Sequence, residues 1–449
     1  MPDTTAVTAT PCDVLIIGGG PAGTTAATLL AAKGRHVVLV EKDHHPRFHI
    51  GESLLPANLP MFDQLGVGEE IRALGIRKYS AEFVSPQHDN RMQRFNFAES
   101  WEKDMPYAYQ VRRSEFDQVL IRNAAQKGAE VFEGCKVTAI DFHPDSVTVD
   151  ARHDDGRQAR WEAKYIIDAS GRDTFIANRL KAKHRNPKHN SSALYAHFEG
   201  AVRHPGPAEG NITIYWFEHG WFWFIPLADG ATSVGAVTWP YYIKQRNGRT
   251  KEQFLLDTIA LCPPLVERMK DARMVTAVEA TGNFSYATDH TCGERYVLIG
   301  DAYAFIDPVF SSGVLLAMRG AEFGAEAIDA CLRSPAHATS ILSRFDHKLR
   351  HGPKIFSWFI YRMTSPTMRD LFMDPRNYLR MKEALLALLA GDIYDKPLKF
   401  WLSLVSFQVV YYSSALFQLP RTWRAWKRRQ HNIQPVLDEE IDGKAAING

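Results

Sequence analysis

At 449 residues, 45% hydrophobic and 23% charged, the chain is long enough to bury a sizeable core and too apolar to stay disordered. Its net charge of +2 carries no global signal for nucleic acid, and none is expected as a partner. Five cysteines, Cys12, Cys135, Cys262, Cys292 and Cys331, show neither CxxC nor His-rich spacing, which argues against a disulfide framework or a metal site and fits a reducing cytoplasm. The leader MPDTTAVTATP lacks the basic-then-apolar pattern of a signal peptide and reads as a short disordered tail. The next stretch, CDVLIIGGGPAGTTAATLLAAKGRHVVLVEK, predicts an apolar strand, a glycine turn, an alanine-rich helix and a second strand ending at Glu41. Gly18, Gly20 and Gly23 form GxGxxG: the first makes the tight turn, the second admits a pyrophosphate to the backbone, and the third lets helix pack on strand. The helix start offers unpaired N–H groups to phosphate, and Glu41 is placed to accept ribose hydroxyls, so a dinucleotide is expected here.

Further along come HIGESLLP, then Lys78 and Ala81 in GIRKYSAEF, and the helix start QVRRSEFDQVL with Arg113 and Asp117. KYIIDASGR and ERYVLIGDA are apolar strands that end in Asp168-Ala169-Ser170-Gly171-Arg172 and Gly300-Asp301-Ala302. Between them, NITIYWFEHGWFWFIPL and ATSVGAVTW alternate like strands of an antiparallel sheet. GDAYAFIDPVFSSGV then sets a Ser-Ser-Gly turn before a helical run, an arrangement that concentrates N–H donors and positive partial charge as an anion site does. No second GxGxxG unit is present, so a resident NADPH domain is not encoded.

Taken in order, these segments resemble the flavin-dependent halogenases, a branch of the FAD-dependent aromatic hydroxylase superfamily, from about residue 12 to residue 395. GWFWFIP matches the family's W-x-W-x-I-P through Trp221, Trp223, Ile225 and Pro226, and Phe305, Pro308, Ser311 and Gly313 match F-x-x-P-x-x-S-x-G. The resemblance implies an α/β fold: an FAD-binding Rossmann-type domain, an antiparallel-sheet substrate domain and a C-terminal helical region. The expected boundaries are residues 11–77, 110–180 and 275–330 for the FAD domain, 78–109 and 181–274 for the substrate domain, and 331–449 for the helical region. It also implies FAD as cofactor, reduced by a separate flavin reductase, and chloride or bromide as a substrate. Gly18, Gly20, Gly23, Glu41, Arg113, Asp301 and Pro308 would line the cofactor, with Asp301 near its ribityl and pyrophosphate region. The backbone of Ser312 and Gly313 would hold the halide, and Trp221 and Trp223 would keep the aromatic substrate off the flavin. Lys78 would carry the oxidised halogen, with its neighbour Arg77 as the competing assignment. Members that act on tryptophan place a glutamate where this chain has Phe310, and that departure, in the expected substrate region, points to a ring activated by its own heteroatom, a phenol or pyrrole.

The uncharged run FWLSLVSFQVVYYSSALFQL is long enough to span a bilayer, but its Ser and Gln residues favour a helix packed over the substrate cleft. After it, Trp423, Arg424, Trp426, Lys427, Arg428 and Arg429 form a basic, aromatic cluster suited to an acidic carrier protein bearing the substrate or to the inner face of a membrane. The final dozen residues read as a frayed polar end. The expected activity is halogenation of an electron-rich ring, presented as an acyl group on a carrier protein, in cytoplasmic secondary-metabolite or pigment biosynthesis. Two other readings remain open at this point: an aromatic hydroxylase on the same scaffold, and a membrane-associated polyprenyl or carotenoid-type reductase.

Overall fold

The computed structural model describes residues 8–186, 189–282 and 285–432. The expected leader, except its last residues, and the expected frayed end lie outside the described residues, as do the side chains from Arg429 onward.

Thr10–Ile17 ends in an unbroken apolar run, Val14 to Ile17, because that part is central: it pairs in parallel with Gln158–Asp168 on one side and Val37–Val40 on the other. Tyr296–Leu298 and Glu130–Phe132 extend this parallel sheet at its two ends. The hairpin Cys135–Phe142 and Val147–His153 joins it antiparallel through the first half of Gln158–Asp168. Helices Pro21–Ala31 and Gly313–Arg333 pack on the sheet with Leu30, Ala321, Ala325 and Ile328 in its core.

A second sheet runs in the order Arg273–Met274, Ser192–Glu199, Thr232–Thr238, Gly220–Pro226, Ile212–Phe217, Ser80–Ser85, Arg91–Asn96. Its pairs are antiparallel except Ile212–Phe217 with Ser80–Ser85, which run parallel. Strand alternation sends Phe222 and Phe224 to one core, beside Phe254 and Leu265 of the covering helices, and Trp221, Trp223 and Ile225 to the other. Glu279–Thr281 also pairs with Ser192–Glu199, so the expected boundary at residue 275 falls inside a segment that belongs to this sheet. The chain rejoins the first sheet only at Cys292 and Tyr296.

From Ala338 on, the described chain is helical. Met381–Ala390 is buried almost all round, and Leu398–Phe417 packs Phe400, Leu404, Phe407 and Tyr411 into the core that holds Trp221 and Trp223. The opposite face of Leu398–Phe417 exposes Leu402, Val405, Val409, Tyr412 and Leu416. This helix is long and apolar enough to cross a membrane by length and composition, with 28% of its most apolar stretch buried.

Candidate active site

The main cavity, about 380 Å³, opens between the two sheets. The first sheet contributes Gly18, Gly20 and Glu41, and the second contributes Tyr195, Ile214, Trp221 and Trp223. Arg113, Asp301, Pro308, Ser311 and Gly313 complete the wall. Gly23, Lys78, Phe310 and Ser312 lie behind that wall rather than in it.

The glycine turn is built as its sequence demands. Gly18 has φ +105°, and a Cβ there would come within 2.4 Å of the Ala169 carbonyl oxygen. A Cβ on Gly23 would lie 1.9 Å from the Gly18 carbonyl oxygen, so only glycine lets helix and strand approach this closely. Gly20 faces open space, the condition a pyrophosphate needs, with Arg47 the nearest neighbour at 3.9 Å. Glu41, 4% exposed, accepts hydrogen bonds from the Gly19 and Asp43 amides at 2.6 and 2.9 Å. It braces the turn as well as facing the cavity.

Arg113 is fixed by a bidentate pair with Asp117, at 2.8 and 3.0 Å, and donates to the Ile50 carbonyl at 2.8 Å. Asp301 makes no side-chain hydrogen bond to the described residues, and burial pushes its carboxyl up to about 6. A carboxyl left unbonded in the wall suits a polyhydroxylated ligand. Asp168, by contrast, accepts from the Ser170 and Ile176 amides at 3.0 and 2.7 Å and is a local brace for the following helix. The open glycine turn and the unbonded Asp301 both fit FAD.

The Ser-Ser-Gly turn enters the long helix through Ser311, at φ +56°, and Ser312. The first helical bond runs from the Leu316 amide to the Ser312 carbonyl, at 2.9 Å, so the preceding amides have no partner within the helix. Of the residues carrying them, Gly313 and Val314 lie in the cavity wall. Beside them stand Trp221 and Trp223, with ring centroids 6.1 Å apart and each 5% exposed. Trp223 donates from its indole to Ser233 Oγ at 3.1 Å.

Lys78 is 1% exposed, whereas Arg77 points outward over the Tyr107 ring at 4.9 Å. The Lys78 ammonium donates to Ser53 Oγ at 3.0 Å and to the Leu54 carbonyl at 2.5 Å, and no carboxylate among the described residues pairs with it. Burial without a counter-charge brings it down to about 7. Ser53 itself lines the main cavity, so one hydroxyl links that cavity to the lysine. Glu82, a candidate partner for Lys78 by proximity in sequence, is instead taken by Arg94, His204, Asn211 and Thr213. Phe310 stacks on Phe372 at 6.3 Å, within the aromatic core.

Sequence reading missed several residues of the wall. Ser53 and Glu52 lie in the quoted HIGESLLP, where the only signal was their place in a motif, and Glu52 forms a buried pair with His197 at 2.8 Å. Nothing in the sequence joins partners 145 residues apart.

The chain matches the family described as FAD binding domain over residues 11–351. It is 31% identical over 408 residues to a 1H-pyrrole-2-carbonyl-[peptidyl-carrier protein] chlorinase of Pseudomonas fluorescens, covering 85% of this chain and 90% of that protein. Among solved structures it resembles the myxobacterial chondrochloren halogenase, with a TM-score of 0.75 and 33% identity over 87% of this chain and 92% of that one. It also resembles a flavoprotein/dehydrogenase of Cytophaga hutchinsonii, with a TM-score of 0.82 and 28% identity over 91% and 99% of the two chains. The cofactor cavity with its glycine turn, the paired tryptophans and these similarities lead to one assignment: the chain belongs to the flavin-dependent halogenases, oxidoreductases that use FAD.

Proposed function

We propose that this halogenase modifies an electron-rich ring, a phenol or pyrrole, with chloride or bromide held at the amides of Ser312 and Gly313, and that Lys78 presents the electrophilic halogen to the ring. The observation that carries this reading is the buried, unpaired Lys78, joined through Ser53 to the cavity that the Ser-Ser-Gly turn and the two tryptophans enclose. FAD, once bound and reduced, supplies the oxygen activation that turns halide into hypohalous acid. Arg113, Asp301 and the glycine turn would hold and orient it; the tryptophans would keep the ring from direct oxygenation. Lys78 can donate a hydrogen bond to hypohalous acid or, as the neutral amine that burial makes accessible, bind the halogen covalently.

Only one GxGxxG turn is encoded, so a separate flavin reductase supplies reduced FAD. The relative that halogenates a carrier-bound pyrrole supports a carrier-tethered acyl substrate here. Helix Leu419–Asn432 has no acidic residue and exposes Trp423 and Trp426, a surface suited in charge to an acidic carrier protein or to anionic lipid on the cytoplasmic face of a membrane.

The test compares metabolites of host cells producing wild type or Lys78→Ala, grown with and without added bromide, by mass spectrometry. A halogen isotope pattern present only with wild type is expected. An oxygenated, unhalogenated difference product would overturn the reading in favour of a hydroxylase.

A further inference from the structure

A second, much smaller cavity, about 10 Å³ and so the size of one water, lies beside the main one. Trp221 borders both; Pro308 lines the large cavity, and its neighbour Val309 lines the small one. The polar wall of the small cavity includes His189, Ser191, Thr238 and Asp307. His189 is 5% exposed and Asp307 is 4% exposed. The imidazole Nε2 lies 2.7 Å from Asp307 Oδ2, which also accepts from Ser191 Oγ at 3.2 Å; Asp307 Oδ1 accepts from the Val309 amide at 3.1 Å. The carboxylate, engaged at both oxygens, holds the imidazole by its Nε2–H.

In that tautomer Nδ1 keeps a lone pair. Among the described residues, His189 Nδ1 has no hydrogen-bond partner despite being buried, and the same is true of Thr238 Oγ1. Two orphaned polar atoms around a space one heavy atom wide call for a ligand that donates and accepts hydrogen bonds. The space is too small for a ring carbon framework and has room for a single heteroatom.

We propose that this cavity seats the ring-borne hydroxyl or ring N–H of the aromatic substrate, with His189 Nδ1 taking its proton and Asp307 positioning the imidazole. The inference rests on the phenol or pyrrole reading above and assigns the activation of that ring to a named pair. For a phenol, the O–H bond breaks, the proton passes to Nδ1, and the electron pair stays on oxygen and spreads into the ring. The ring carbon then attacks hypohalous acid: the carbon–halogen bond forms, the halogen–oxygen bond breaks, and hydroxide leaves. The ring C–H proton joins that hydroxide as water while the imidazolium returns its proton to the phenolic oxygen. The sum is one aromatic hydrogen and one hypohalous acid converted to one aryl halide and one water.

The test uses FAD-loaded enzyme, an added flavin reductase, NADH, oxygen and chloride, with phloroglucinol and 1,3,5-trimethoxybenzene as probes. Product is normalised to hypochlorous acid captured by a diffusible amine trap, and free hypochlorous acid gives the intrinsic ratio of the two probes. Wild type is expected to exceed that intrinsic preference for the hydroxylated ring by about a hundredfold. His189→Gln keeps a donor for Asp307 but no proton acceptor, and its excess preference is expected to fall to within about threefold of the free reagent. Thr238→Val, isosteric and relieved of an orphaned hydroxyl, should fold as wild type and lose about three- to tenfold of the preference. A His189→Gln enzyme that slows on both probes alike, or that keeps the wild-type preference, would overturn the proposal and leave the pair a structural brace. Wild type that yields trapped hypochlorous acid but chlorinates neither probe would also overturn it. No trapped hypochlorous acid at all would instead bring down the reading on which it rests.

Discussion

In the proposed reaction Lys78 ties function to stability. An unfolded lysine keeps its proton to about pH 10.4, but the buried one gives it up near 7. Between those values the unfolded chain binds the extra proton, so stability rises with pH across the window from about 7 to about 10. Below it both states are charged, and the buried ammonium is a standing cost on the order of several kcal/mol. Lys78→Met is therefore expected to raise the unfolding midpoint at about pH 6, with the gain fading toward pH 10, while halogenation is lost throughout. Denaturant melts across that range check it: a variant less stable than wild type at pH 6 would show that Lys78 is not the buried charge described. Which of Arg77 and Lys78 is buried was not legible in the sequence. It is set by the pairing of Ile76–Lys78 with Ala108–Gln110, which no local pattern announces, and by the space near Ser53 and Phe97 that receives only the second side chain. Gly18 and Gly23 were legible because their constraint is local: the backbone itself leaves no room for a Cβ.

Among elements, the strand Gly220–Pro226 was readable as a strand but misleading as to its surroundings. Period-two alternation usually separates a wet face from a dry one, yet here every residue is buried, because helices cover one face and the cavity and C-terminal helices the other. The feature that lets the tryptophans lie as they do sits on the neighbouring strand. Gly235 is the register partner of Trp223, and a Cβ there would come 2.2 Å from the indole. Gly235→Ala must therefore displace Trp223 and its bond to Ser233, at a cost of about 1–3 kcal/mol. A lowered melting midpoint with altered tryptophan fluorescence is expected; unchanged spectra would mean the indole has room to spare. At the start of the long helix the opposite holds. A Cβ on Gly313 would meet only Phe305, at 3.6 Å, an ordinary contact. Gly313→Ala should keep the melting midpoint while its methyl crowds the amides at the cavity wall, raising the halide KM more than it lowers kcat. An equal fall in kcat with KM unmoved would place the halide elsewhere.

Over the whole molecule, the order of strands and helices could be read, but the interleaving of the two sheets could not. The strand Ser80–Ser85 lies more than a hundred residues before its parallel partner Ile212–Phe217, and Glu279–Thr281 returns to the second sheet before the chain re-enters the first. Such long-range pairings are decided by burial of both faces, not by local propensity. Because both sheets wall the main cavity, its ligand should act as a tie between them. Binding confined to the folded state adds RT ln(1 + [L]/Kd), about 2.7 kcal/mol at a hundred times Kd, so FAD should raise the melting midpoint by a few degrees. Among the described residues, the tryptophans that line the cavity, Trp221 and Trp223, both belong to the second sheet, whereas flavin release reports loss of the glycine turn in the first. With FAD bound, the two signals are expected to change in one coincident transition, displaced together as FAD is titrated. If FAD shifted flavin release while the tryptophan transition stayed where it lies in the flavin-free protein, the cofactor would be anchored by the first sheet alone, and the tryptophan wall would not be part of its binding site.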